Sequence, residues 1–451
     1  MKKIFITLLY FCCLAYLPAQ AQQRLKTHNQ YIFHQADAKG QLAGTYSLSR
    51  AKSGNISALR IGKRRIKDDS TEVEEYPKIQ VGGLLHLTAV GLQDKPTALE
   101  SSTAGYRRRW QRQMSVYRGR ILVGGSISKK TSFFIETEIP VPIGNISPDT
   151  LGNKSMQVSP ILLDAQVEHI FADEFSLIAG LQLVGITRNG LQSAASLMAL
   201  DFGYYQYPYN LFENQPLQGN FGRDVGLNTR GFLANERLEY RVGVFAGKTF
   251  DRYSPLRVVT RFNFNFLETS RDLYYTGTTL GEGNIFSVGG GFEAQGTYRN
   301  YALDAFLDKP LGEAGSITLN TAFNYMSGGD SEHPYSLTKF IPSQTIHFLE
   351  LGFYVNSLKI QPYFKYENQI VKGTRRQASL PDNAPQDALD DFNTLNNQRR
   401  IGGGIGYYFA GYNSTVKLSY ENVSYGRTAL TGRAEKQSRG ELWLQLQFFV
   451  F

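Results

Sequence analysis

From Ile79 to Phe451 the chain repeatedly places an apolar side chain at every second position. In 315–326, Ile317, Leu319, Phe323 and Tyr325 alternate with Ser316, Thr318, Asn320 and Asn324. In 358–367, Leu358, Ile360, Phe364 and Tyr366 alternate with Lys359, Gln361, Lys365 and Glu367, and the runs 237–245, 261–266 and 414–421 repeat the pattern. A period of two over such lengths predicts β-strands with one apolar and one polar face. Strands are expected near 79–92, 115–128, 132–140, 161–171, 174–186, 223–233, 237–247, 256–267, 284–298, 300–309, 315–326, 343–355, 358–369, 398–409, 413–424 and 440–451.

That is about sixteen strands of about ten residues, an even number and a length suited to an antiparallel barrel that crosses a membrane. Connections alternate between tight (Lys129–Thr131, Ala172–Asp173, Asn235–Glu236, Asn356–Ser357) and long (141–160, 187–222, 268–283, 327–342, 370–397, 425–439). Tight turns are expected on the periplasmic side and long loops outside. The last twelve residues, GELWLQLQFFVF, keep full strand character to the end, as a strand that must pair with the first one would. Their register is mixed: Leu442, Leu444, Leu446 and Phe448 share one face, while Phe449 and Phe451 fall on the face of Gln445 and Gln447. A bulge or an aromatic ring at the membrane edge is the expected resolution.

The first 21 residues read as a secretory signal: Lys2 and Lys3, an apolar run from Ile4 to Leu17, then Ala19-Gln20-Ala21. The run is shorter than the roughly 20 residues a spanning helix needs. Residues 22–75 are polar, with a basic patch (Lys63, Arg64, Arg65, Lys67) followed by an acidic one (Glu72, Glu74, Glu75), and read as a periplasmic segment. The barrel is expected over 76–451, with 187–222 as an inserted loop.

Both cysteines, Cys12 and Cys13, lie in the signal, so neither disulfides nor thiolate-bound metal are expected. The signal carries two of the 48 basic residues and none of the 39 acidic ones, which leaves +7 for the mature chain. That excess is too small to point to nucleic acid and is compatible with a cavity that attracts anions. Mean hydropathy is −0.30 although 42 % of residues are hydrophobic, as expected where the apolar face appears only at alternate positions.

Several stretches resemble the phosphate-selective porin O/P family: RGRILVGGSISKKTSFFIETEI (118–139), LLDAQVEHIF with FSLIAGLQLVG (162–185), and GRDVGL (222–227) followed by RLEYRVGVFAG (237–247). Arg118, Arg120, Glu136, Glu138, Asp164, Gly222, Arg223, Asp224 and Gly226 stand at the positions of the family pattern. The likeness covers about 110–250, and the C-terminal half by architecture only. It implies a 16-stranded, usually trimeric, outer-membrane barrel that passes anions or other small solutes, with lipid and lipopolysaccharide around it.

A pore acts through width and field. A lysine or arginine facing lipid at the midplane costs roughly 2–4 kcal/mol, so charges on the polar parity are expected to point inward. The basic candidates are Arg118, Arg120, Arg188, Arg223, Arg230, Arg241, Arg261, Lys359, Lys365 and Lys417. The acidic ones are Glu136, Glu138, Asp164 and Glu168, with Glu239, Glu293, Glu367 and Glu421 on the same parity. The loop 187–222 carries Arg188, a run of small residues (193–196) and Tyr204, Tyr205, Tyr207 and Tyr209. It either folds inward to narrow the pore or lies outside, as an outer loop or a trimer contact. Arg107, Arg108, Arg109 and Arg112 around Trp110 read as a solvated loop, a pore-mouth funnel or a patch facing lipopolysaccharide. Asp382, Asp387, Asp390 and Asp391 are acidic enough for calcium but match no compact loop. No Gly-x-Ser-x-Gly elbow, zinc motif or phosphate loop is present. The sequence points to a passive porin without cofactor rather than an enzyme; a non-conducting binding or secretion-accessory barrel is the alternative.

Overall fold

The computed structural model describes residues 76–93, 109–139, 146–148, 154–156, 160–203, 222–247, 252–328, 333–334, 343–371, 397–425 and 437–451. The strands are β1 (Lys78–Gln93), β2 (Trp110–Ser128), β3 (Thr131–Glu138), β4 (Ile146–Pro148), β5 (Lys154–Met156), β6 (Ile161–Ala172), β7 (Phe175–Leu183), β8 (Arg223–Leu233) and β9 (Leu238–Phe245). They continue as β10 (Arg257–Asn265), β11 (Ile285–Gln295), β12 (Tyr298–Pro310), β13 (Gly315–Ser327), β14 (Gln344–Val355), β15 (Ile360–Val371), β16 (Gln398–Tyr412), β17 (Ser414–Tyr425) and β18 (Gln437–Val450). β4 and β5 pair with each other alone; the other sixteen close into one antiparallel barrel in which β1 meets β18 from Gly83↔Val450 to Leu92↔Glu441. Each expected strand is present.

The burial pattern inverts that of a water-soluble protein. On β12 and β13 the outward residues Tyr301, Leu303, Phe323 and Tyr325 are exposed, Leu303 by 66 %, whereas inward Asn300, Ser316, Thr318 and Asn320 are almost fully buried. Around the ring, Phe262, Leu351, Phe364, Leu418 and Phe448 point out and Asn263, Glu350, Lys365, Lys417 and Gln447 point in. An outward apolar wall of this extent is stable only against lipid, and closure leaves no unpaired strand edge in it. The fold is therefore a transmembrane antiparallel barrel. Among the described residues no helix is long and apolar enough to cross a membrane.

The structure differs from the sequence reading in particular places. β18 pairs without a bulge on either side. Phe449 points inward and joins a dry internal cluster with Leu84, Leu122, Phe134 and Tyr274, and Phe451 packs edge-on against Phe134 at 6.0 Å. Inside apolar residues, not a ring at the membrane edge, accommodate the mixed register. β2 begins at Trp110, so Trp110 and Arg112 belong to a strand; Arg109 is exposed just before it. Arg107, Arg108 and the four aspartates at 382–391 lie outside the described residues. Lys359 is exposed in the turn before β15 and is not on the wall, because the strand starts at Ile360.

The connection 268–283 departs most from its expected place. Counting strand directions from β10 to β11 puts this connection at the end of the barrel that carries the tight turns 129–130, 234–237 and 356–359, not with the long loops. The pairing of β11 with β12 through the short turn at 296–297 fixes this, since it lies at the opposite end.

Leu303 sits midway along β12 on the lipid face. Leu303→Arg is expected to lower the unfolding free energy in lipid vesicles by about 2–4 kcal/mol, read from the shift in urea midpoint.

Candidate functional site: the barrel lumen

Two segments enter the lumen from opposite ends. Residues 184–203 come from the long-loop end. They form no extended ladder; instead two short 3₁₀ turns, Asn189–Leu191 and Ala194–Ser196, fold them tightly. Side chains cap the turns: the Thr187 hydroxyl accepts from Gly190 N at 3.1 Å and the Ser193 hydroxyl from Ala195 N at 3.3 Å. The small residues there allow this close folding. The Tyr204–Tyr209 part of the expected loop lies outside the described residues.

Carbonyls left over by so irregular a chain need donors, and the wall supplies them. Lys417 Nζ donates to Leu197 O and Ala199 O at 2.5 and 3.0 Å, and Lys365 Nζ to Asp201 O and Phe202 O at 3.1 and 2.8 Å. Gln447 donates to Ala195 O at 2.8 Å and Arg261 to Ile186 O at 2.9 Å, while the Tyr363 hydroxyl accepts from Leu200 N at 3.1 Å. Arg118 holds the Asp201 carboxylate at 2.6 Å and the Tyr117 hydroxyl donates to its other oxygen. The wall also makes room. A Cβ on Gly291 of β11 would stand 2.6 Å from Ile186 Cβ, and one on Gly352 of β14 2.4 Å from Met198 Sδ.

Residues 266–284 come from the tight-turn end. The Tyr274 hydroxyl donates to Asp164 at 2.9 Å and accepts from Gln166 at 3.0 Å; the Tyr275 hydroxyl donates to Glu239 at 2.7 Å. Arg230 holds the Arg271 and Asp272 carbonyls at 3.1 and 2.9 Å, and Asp308 accepts from Thr279 N at 2.6 Å. The two segments then bond to each other: Ser193 N to Tyr275 O at 2.9 Å, Tyr275 N to Leu191 O at 2.8 Å and Thr278 N to Ser196 O at 3.1 Å.

The sequence candidates thus fall into two groups. Some hold the inserted segments: Arg118, Arg230, Arg261, Lys365 and Lys417. Others are paired along the wall. Arg120 bridges Glu136 and Glu138 at 2.9 and 3.0 Å, Arg223 bridges Glu136 and Asp164 at 3.4 and 3.1 Å, and Arg241 pairs with Glu239 at 2.9 Å. Glu168 accepts from Ser176 at 2.8 Å, and Arg261 grips Asp304 at 2.5 Å. The Gly-Arg-Asp stretch has a physical reason: Gly222 turns with φ 79°, after which Arg223 meets Glu136 and Asp164, and Asp224 meets Arg257 at 3.1 Å. Arg188 is fully buried, its guanidinium 3.8 Å from the Phe306 ring centre and 4.5 Å from that of Tyr275. Burial brings its pKa down to about 10, so it remains a cation at neutral pH.

Sequence reading missed Asp201, Tyr274, Tyr275, Tyr363 and Gln447. The apolar residues inside the wall were legible in principle. Strict alternation fails where both parities are apolar, as in Phe133, Phe134 and Ile135, and such runs mark strands covered on both faces. Among the described residues no group of three or more His, Cys, Asp or Glu could hold a metal ion.

The fold and lumen together define the class: a sixteen-stranded transmembrane β-barrel whose lumen is occupied by two segments of its own chain. No protein-family profile matches the chain, and no characterised protein matches it in sequence. Solved barrels of similar outline include an anion-selective porin from Comamonas acidovorans (10 % identity, TM-score 0.48, covering 83 % of this chain and 100 % of the other). The outer membrane channel DcaP of Acinetobacter baumannii (11 %, 0.48, 82 % and 97 %) and Salmonella typhi OmpF in complex with daunomycin (12 %, 0.49, 82 % and 98 %) are comparable. At such identities the likeness is one of outline and says nothing of what this chain passes.

Two outcomes follow from the docking contacts. Lys417→Met strips donors from two carbonyls, at about 1–3 kcal/mol for each group left unsatisfied, and is expected to make the Arg188–Asn189 bond susceptible to trypsin in the folded barrel; the parent barrel resists. Burial alone would raise the Asp201 pKa, but Arg118, Tyr117 and Lys365 outweigh it and bring it from 3.8 down to about 2. A depressed carboxylate contributes stability that is complete above about pH 4 and lost as pH falls through about 2. Trp443, whose ring lies 5.8 Å from that of Tyr117, is expected to report that loss by fluorescence. Asp201→Asn should remove this component.

Proposed function

We propose that the chain is an outer-membrane channel of a Gram-negative envelope, exported by its signal, that lets small hydrophilic solutes diffuse passively through a lumen narrowed by 184–203 and 266–284. The observation that carries this reading is the inward parity: it is polar or charged along most of the ring, while the outward parity is apolar. A barrel built only as a lipid-embedded scaffold has no use for so many desolvated charges. Lipid and lipopolysaccharide are the surroundings, a homotrimer is the assembly the sequence resemblance implies, and the mechanism needs neither cofactor nor energy source.

The anion preference enters the proposal in a slight form. Net charge favours it, but Arg120, Arg223, Arg230, Arg241 and Arg261 are each matched by a carboxylate, and Lys417 by carbonyls. Matched charges leave little field to select an anion. A second reading, a barrel that does not conduct at rest, is favoured by one observation: the two segments hydrogen-bond to each other inside the lumen.

Planar-bilayer recording in a KCl gradient separates these. The channel reading expects steady conductance with a reversal potential displaced only slightly toward chloride. Conductance that appears in Lys417→Met but not in the parent favours the second reading. No conductance in either would overturn the proposal.

A further inference from the structure

Two cavities flank the junction of the inserted segments, and both lie toward β1–β3 and β7–β10. One, of about 20 Å³, is bounded by Leu84, Leu122 and Phe134 of the wall, by Ala194 and Ala195 of 184–203 and by Tyr274. The other, of about 10 Å³, is bounded by Val184, Leu191, Asn228, Arg241 and Arg261. Leu183 borders both. Each has room for about one water molecule, so nothing larger passes through them while the segments stand as they do. The tip of 266–284 abuts both. Tyr274 walls the first, and the Tyr275 ring centre lies 4.9 and 5.4 Å from the guanidiniums of Arg241 and Arg261, which line the second.

For a solute to pass at this level one segment has to move, and the two are held differently. The segment 184–203 is seated in the wall: Ile186 and Met198 fill notches left by Gly291 and Gly352, and Lys365, Lys417, Gln447 and Arg261 hold its carbonyls. The segment 266–284 leans on the other one instead. A Cβ on Gly277 would stand 2.7 Å from Ser196 O and 2.9 Å from Leu197 Cα. Its limbs become exposed at Phe266–Glu268 on one side and at Glu282 on the other. At its base Arg271 meets Asp173 and Glu236 at 3.2 and 2.6 Å, pairs partly open to solvent and therefore weak. The returning limb turns through Leu280 and Gly281 at φ 54° and 85°. A left-handed leucine is a strained state that persists only while its surroundings enforce it.

We propose that 266–284 is a gate hinged at the tight-turn end. Its tip, Tyr274–Tyr275, withdraws toward that end, the two cavities join into one passage beside β1–β3 and β7–β10, and 184–203 stays seated as the constriction. Withdrawal breaks the hydroxyl bonds to Asp164 and Glu239, the backbone bonds to 191–196, and the bonds of Thr278 and Thr279 to Thr318 and Asp308. Water entering the opened lumen can take the place of each. This rests on the channel reading and deepens it by naming the part that moves and the side on which the passage forms.

The test locks the gate to the wall. The hydroxyl oxygens of Thr278 on the gate and Thr318 on β13 stand 3.3 Å apart. In a chain lacking Cys12 and Cys13, Thr278→Cys is combined with Thr318→Cys and the disulfide is confirmed by mass. Planar-bilayer conductance is expected to be lost on oxidation and restored by dithiothreitol, while each single variant responds to neither. Equal current in the oxidised and reduced double variant would overturn the gate. A second readout needs no current. Thr276→Cys on the gate and Met198→Cys on the seated segment replace side chains that are both buried. A buried thiol reacts in proportion to local opening, so a membrane-impermeant methanethiosulfonate is expected to label Thr276→Cys roughly tenfold or more faster than Met198→Cys in liposomes. Equal rates, or the reverse order, would also overturn the gate. Fast labelling of Thr276→Cys in a barrel that carries no current would uphold the gate and defeat the channel reading alone.

Discussion

Lipid offers a peptide group nothing to bond to, and this constraint shapes the whole chain. Each N–H and C=O at membrane depth must find a partner within the protein. Where the described residues hold no long apolar helix, the available solution is a sheet with no edge. That requirement explains why Glu441–Val450 holds strand geometry and meets Gly83–Leu92 in unbroken register. Closure also fixes the side chains. With a period of two, every residue committed to lipid commits its neighbours to the lumen.

The same constraint makes the lumen expensive to fill. Wall charges such as Arg120 and Glu136 are removed from bulk water and are stable there because they are paired. The irregular stretches 184–203 and 266–284 need donors for their carbonyls, and these come from Lys365, Lys417, Arg230 and Arg261. Long basic side chains on the wall therefore act as clamps on the chain's own backbone. A cation used in this way does not also serve as an anion trap. Pairing thus reduces the field that the composition alone suggests.

Strand existence was legible because alternation such as that of 315–326 is imposed by the membrane and little else competes with it. What lies inside was much less so. The small-residue run at 193–196 marked 187–222 as unusual, but nothing local distinguishes inward from outward folding; Lys417 lies more than two hundred residues away from the carbonyls it holds. The segment around Tyr274 and Tyr275 reads as any aromatic loop, and its end of the barrel follows only from counting strand directions. Lys359 fits the alternation of its run, yet a four-residue turn claims it. Phe449 fits neither lipid nor water parity until Phe134 and Tyr274 are seen to build a dry patch inside.

The most direct measurement is spin-label accessibility along β13 in a bilayer, one label per residue from Ser316 to Met326. Oxygen, which concentrates in lipid, should reach Ile317, Leu319, Thr321, Phe323 and Tyr325 and leave the even-numbered positions protected, in a clean two-residue period. A profile without that period, or one in which Thr318, Asn320 and Asn324 are the positions that meet lipid, would contradict the account at its base.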